Sequence, residues 1–341
     1  MSDSYRNNLK QQRQDEHLFA QYVRILGKGK SGARSLSRDE AYHSMGMVLR
    51  GEVEDIQLGA FLMLLRVNEE TAEELAGFTE AVRDHIAKPA QAIAVDLDWS
   101  SYAGKKRVLP WFLLSSFLLA ENGYRIFMHG TSGHTAGRMY TEQVLHELGV
   151  ISAKSWQEVS TQLDGSLFSY MSLESFCPEL HQIIGYRQYL GLRSPVHTLS
   201  RLINPLAAPH SIQSVFHPAY GASHQQAAKL LRQPNAAVFK GEGGEIERKP
   251  EASCAVKMIV DHCEIEQQWP KMLEGRQPQP DNLDPQQLVD VWRGLDPNFY
   301  AENAIIGTAA IAIMLLKKAP TQQQALSLAQ HWWQHRDRSR F

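Results

Sequence analysis

Between residues 92 and 148 the chain alternates short apolar runs, glycine-bearing loops and apolar helices, and this alternation limits the fold more than any other feature. Ala92-Ile-Ala-Val-Asp-Leu97 is strand-like and leads into Ser100-Ser-Tyr-Ala-Gly104. A helix follows over Leu109–Asn122, closed by Gly123, which accepts the left-handed turn that ends a helix. Tyr124-Arg-Ile-Phe-Met128 reads as a second strand, then comes a loop with Gly130, Gly133 and Gly137, then a helix over Thr141–Leu148. Strand, loop, helix repeated in this way predicts an α/β layer with a mostly parallel central sheet. A further strand is expected over Ala236–Lys240, running into Gly241-Glu-Gly-Gly244. Asp284-Pro285 opens another helix, and the chain end reads as helical.

The first ninety residues have a different character. Ser37-Arg-Asp-Glu40 and Thr71-Ala-Glu-Glu74 are capping boxes, each followed by apolar residues at helical spacing, and Pro89 ends the last helix. The predicted organisation is a small all-helical domain over residues 1–90 and a large α/β domain over residues 91–341. A chain of 341 residues, 43% of them hydrophobic, supports cores of that size. The longest apolar stretches, Val108–Ala120 and Ala304–Leu316, are too short to span a bilayer and read as buried helices. Three cysteines without metal-type pairing and a polar start with no apolar leader fit a soluble protein of the reducing cytoplasm.

Several segments resemble anthranilate phosphoribosyltransferase and its relatives, the family 3 glycosyltransferases and nucleoside phosphorylases. Gly51-Glu-Val-Glu-Asp-Ile-Gln-Leu-Gly-Ala-Phe-Leu-Met63, His129-Gly130, Val144-Leu-His-Glu-Leu-Gly-Val150, Arg187-Gln-Tyr-Leu-Gly-Leu-Arg193, Asn204-Pro205 and Glu302-Asn303-Ala304 fall in the family's order. The resemblance implies a helical domain completed by a helical segment near residues 168–193, and homodimerisation through that domain. It also implies a glycine-rich loop that cradles a pyrophosphate. Here that loop reads Ser100-Ser-Tyr-Ala-Gly-Lys-Lys-Arg107, so Ser101, Tyr102 and Gly104 form a degenerate donor loop. Pro110-Trp-Phe-Leu113 stands where the family has phosphate and metal contacts, Met128 where it has a lysine, and Ile246-Glu247 where it has an acidic pair. Trp, Phe and Leu side chains offer no oxygen to a hydrated Mg²⁺. Tyr102 to Leu114 and Lys240 to Glu245 resemble the divergent YbiB-type subgroup, which implies nucleic-acid binding in place of anthranilate transfer.

Net charge is −2, so affinity for phosphate must come from local clusters. Residues 180–241 hold no Asp or Glu, but Arg187, Arg193, Arg201, Lys229, Arg232 and Lys240. A second cluster is Lys105-Lys106-Arg107, and a third comprises Lys28, Lys30, Arg34 and Arg38. The leading expectation is sequence-independent binding of single- or double-stranded DNA or RNA, with no catalytic residue and no metal. Lys105, Lys106, Arg107, Arg193 and Arg201 are the foremost phosphate contacts, with Lys28, Lys30, Arg138 and Arg187 completing the set. His210, His217 and His224 are spaced by seven but have no carboxylate or cysteine beside them, and are not read as a metal site. Two alternatives remain. One is a phosphoribosyltransferase with an altered donor or acceptor, which alone would call for Mg²⁺. The other is a scaffold that binds a protein.

Overall fold

The computed structural model describes residues 16–29, 31–131, 133–275 and 282–341. Both capping boxes close as the sequence dictates. Ser37 Oγ accepts from Glu40 N at 3.2 Å while Ser37 N donates to the Glu40 carboxylate at 2.8 Å. Thr71 and Glu74 repeat the exchange at 3.2 and 2.9 Å, starting helix Ala72–His85. The second Glu74 oxygen accepts from Leu36 N at 2.8 Å and ties the start of helix Arg38–Leu49 to its neighbour. Helix Asp55–Asn68 buries Leu58, Phe61, Leu62 and Leu65, a one-face spacing. Phe61 meets Phe19 and Phe78 edge-on, with centroids 5.1 and 6.1 Å apart.

The sheet has seven strands in the order β3-β2-β1-β4-β5-β6-β7. β1 (Leu97–Ser101), β2 (Ile126–Gly130), β3 (Phe168–Ser172), β4 (His210–Val215) and β5 (Asn235–Lys240) are parallel; β6 (Cys254–Val260) and β7 (Cys263–Trp269) are antiparallel. Side chains alternate between two cores, as the two-residue period of a strand requires. Ile126 and Met128 join Trp99, Phe112, Phe117, Ile305 and Ala309 on one face. Phe127 joins Met171, Ala236, Ile259 and the N-terminal helices on the other. Helices Phe112–Glu121 and Phe299–Leu315 are buried on nearly every side, which explains their unbroken apolar sequence. Among the described residues no helix is long and apolar enough to cross a membrane.

Three expectations are corrected. The first strand is Leu97–Ser101, not Ala92–Leu97: Ala92 and Ala94 are exposed, while the polar Asp98, Ser100 and Ser101 are buried at the strand's functional end. The second likewise runs to Gly130, so His129-Gly130 belongs to the sheet. Phe168–Ser172 is the edge strand β3, not part of a returning helical segment. Helices begin only at Leu173, and Tyr186, Tyr189 and Leu190 then border a groove of about 270 Å³ with Leu58 and Leu62 of helix Asp55–Asn68.

Candidate functional site

The candidate site sits where β1, β4 and β5 end and their loops meet, the crevice that open α/β sheets offer to ligands. β1 passes into the loop 101–107, and β5 passes into the turn Glu242–Gly244. Gly130 on β2 lets the strands approach, since a Cβ there would fall 2.1 Å from Ser101 O. Gly241 is equally constrained, because a Cβ would fall 1.6 Å from Glu245 O. The turn therefore folds back tightly and delivers Glu245 and Glu247 beneath the loop.

Glu245 is buried, and its carboxylate fills the loop. One oxygen accepts from Ala103 N and Gly104 N, both at 2.6 Å, and the other accepts from Ser101 Oγ at 2.9 Å. Convergent backbone N–H groups and a hydroxyl are the means by which such loops hold anions. The anion they hold here is the chain's own side chain. Glu247 performs the same service one layer deeper: it accepts from Phe112 N at 3.0 Å, at the start of helix Phe112–Glu121, and from Lys105 Nζ at 2.7 Å. Burial pushes the Glu247 carboxyl up, to about 7, against the attraction of Lys105. The glycines of the 241–244 segment that follows the expected strand do form a tight turn. That Glu245 and Glu247 are ligands of the loop has no local signature, since their partners lie more than a hundred residues away.

Lys105 is 1% exposed and also donates to Glu242 O at 3.2 Å. Its expected role as a phosphate contact is corrected, because an internal ion pair occupies it. Arg138 Nη1 donates to the carbonyls of Ala103, Gly104 and Gly243 at 3.0, 2.7 and 3.3 Å, clamping loop to turn. Arg201 is buried and donates to His197 O at 2.5 Å and Gly244 O at 3.4 Å, so its charge reaches outward but its guanidinium does not. Arg187 is half-buried and donates to His134 O at 2.9 Å. Tyr102 is buried and meets His129 Nδ1 at 2.7 Å, and His129 Nε2 lies 3.3 Å from Asp98. Gly104 adopts φ +69°, which the loop's turn requires.

Lys106 and Arg107 are exposed beside this closed loop and have no hydrogen-bond or ion-pair partner among the described residues. Arg193 is half-buried and equally unpaired. Burial, together with Arg138 and Arg201, draws the Arg193 guanidinium down to about 10. His134 falls to about 4, chiefly through burial, and is neutral at physiological pH. The N-terminal cluster is not free of acids in space: Arg34 pairs with Glu40 at 2.6 and 2.7 Å, and Arg38 with Glu80. Lys28 is exposed, and Lys30 lies outside the described residues. The three histidines at seven-residue spacing do not converge. His210 bonds to Asp96 O, His217 is exposed, and His224 is buried against Gln213.

Comparison with known proteins agrees with this architecture. Residues 20–86 match the glycosyl transferase family, helical bundle domain, and residues 112–334 match the glycosyl transferase family, a/b domain. The YbiB protein of Escherichia coli (strain K12) is 29% identical over 247 residues, 71% of this chain and 76% of its own length. Anthranilate phosphoribosyltransferase of Ralstonia pickettii (strain 12J) is 27% identical over 232 residues, 67% of each chain. The crystal structure of anthranilate phosphoribosyltransferase from Thermus thermophilus superposes with a TM-score of 0.76 at 20% identity, covering 92% of this chain and 94% of that one.

Proposed function

The chain belongs to the glycosyl transferase family through both its helical-bundle and its a/b domain, and we propose that within that family it binds nucleic acid without sequence preference and does not use a phosphoribosyl donor. The observation that carries the reading is the Glu245 carboxylate seated on Ser101, Ala103 and Gly104. A pyrophosphate entering that loop would have to displace a carboxylate held by three hydrogen bonds. Displacement would leave Glu245 buried and unpaired, at a desolvation cost of several kcal/mol, about as much as a phosphate–backbone contact returns.

Mg²⁺ does not fit either. Both Glu247 oxygens are taken by Lys105 and Phe112 N, and Trp111, Phe112 and Leu113 offer no side-chain oxygen. These residues give the ion no seat.

The cations left open are Lys106 and Arg107 on the closed loop, Lys240 at the end of β5, and Arg193, which feels the charges of Arg138, Arg201 and Arg187. Phosphate contacts of this kind fix a backbone in place and carry no sequence information. The reading includes a homodimer built through the helical domain, where Ile56, Tyr189 and Leu192 are exposed. Two copies would then set two basic crevices along one strand.

A competition measurement tests the proposal. A labelled oligonucleotide bound at low salt stays bound when phosphoribosyl pyrophosphate and Mg²⁺ are added in excess, and no pyrophosphate is released. Displacement at micromolar donor, or turnover, returns the chain to the transferases with an altered donor or acceptor.

A further inference from the structure

β4 ends at Val215, and the next residue, Phe216, is 49% exposed although it directly follows a buried strand. Its inner edge lies against the glycine turn, within 3.6 Å of the point a Cβ on Gly244 would occupy. Its ring meets His217 edge-on at 4.9 Å, and His217 lies 6.3 Å from Tyr220. Tyr220 is anchored by its hydroxyl, which donates to Glu69 Oε1 at 3.2 Å. The three rings line a cleft of about 160 Å³ together with Arg66, Arg193 and His197, and with the carboxyl of Glu70. Two buried atoms of lining residues, Ser194 Oγ and His197 Nε2, have no hydrogen-bond partner among the described residues. Neighbouring apolar positions on β4, Ile212 and Val215, already supply the packing, so the exposed face of Phe216 has no structural duty.

We infer that this cleft takes one unpaired base of a single strand, stacked on Phe216, with its phosphate on Arg193. The inference rests on the nucleic-acid reading above and adds what that reading lacks, a reason to distinguish strands by pairing. An aromatic face beside a cation accepts any base, because every base has a π-face, and so selects for single strands without selecting for sequence. In a duplex both faces of each base are covered by neighbours, and the base reaches the cleft only after unstacking.

The test compares the full chain's binding to three labelled probes at one salt concentration: oligothymidylate, an abasic oligonucleotide with the same number of phosphates, and a duplex. The abasic strand is expected to bind about tenfold more weakly than oligothymidylate, with an unchanged salt slope. Phe216→Ala lowers oligothymidylate to the abasic level and leaves abasic binding as it was. Equal affinity for the two single strands in the unaltered protein overturns the inference and needs no variant. Equal weakening of both probes by Phe216→Ala also overturns it. Loss of all binding rejects the nucleic-acid reading itself.

Discussion

Lys105, Lys106 and Arg107 are consecutive, yet the first is buried against Glu247 and the next two stand in solvent. Their substitutions should separate cleanly. Lys105→Met leaves Glu247 buried without its counter-ion and should destabilise the fold by about 3 kcal/mol, read as a lower denaturation midpoint. Reversing both Lys106 and Arg107 to Glu should leave stability unchanged and reduce the slope of log affinity against log salt by about 1.4, two single-strand phosphate contacts. Glu70 gives a pH prediction at the same scale. Burial raises its carboxyl from 4.5 to about 7, opposed first by a backbone hydrogen bond at Glu70 itself and then by the charge of Arg66. The folded chain then holds this proton more tightly than the unfolded chain does. Its contribution is complete below pH 4.5 and is lost as pH rises through about 7. Glu70→Gln should therefore raise stability at pH 8, by up to about 3 kcal/mol, and change little at pH 4; equal effects at both pH values would contradict the assignment. At this scale the sequence was only half legible. It marked a basic cluster, but whether a lysine is free or buried depends on a carboxylate that only the fold brings to it.

The turn Glu242–Gly244 and the loop 101–107 act as one element, with Arg138 holding their carbonyls and Glu245 holding their N–H groups. Glu245→Ala strands two buried amides and should lower stability by about 3 kcal/mol. Sulfate or phosphate should restore part of that loss in the variant, beyond any general salt effect on the unaltered chain, because the vacated donors still converge on an anion. Thermal melts in sulfate against an equal ionic strength of chloride provide the reading; identical shifts in both proteins would show that the loop does not cradle anions. Capping boxes and the long apolar helices were legible because their information is local: Ser37 meets Glu40 three residues on, and burial on all sides leaves an unbroken apolar run in Phe299–Leu315. β3 and β4 were not expected as strands because Ser169, Ser172, Ser211 and Gln213 are buried polar residues that break the apolar pattern. β7 is an edge strand carrying Glu264 and Glu266, the charges that guard an edge, and so has no hydrophobic signal to read.

At the scale of the molecule, a helical bundle and one face of a mostly parallel sheet share a core, with Phe127 and Ile259 of the sheet packed among residues of the N-terminal helices. The family's architecture was legible because many short motifs occur in the right order, and order is harder to reach by chance than any single motif. The closed loop was not, because its plug, Glu245, is 142 residues along the chain from Ala103 and only the fold brings the two together. On this account the fold retains a crevice shaped for phosphate, fills its deepest donors with its own carboxylates, and leaves a rim of cations for a longer polyanion. Fluorescence polarisation of a labelled single-stranded oligonucleotide across a salt series tests that claim most directly. The account predicts affinity that falls linearly in log–log form with a slope of at least about 2, several phosphates being engaged at once. A chain that shows no binding at low salt, or binding indifferent to salt, would contradict it.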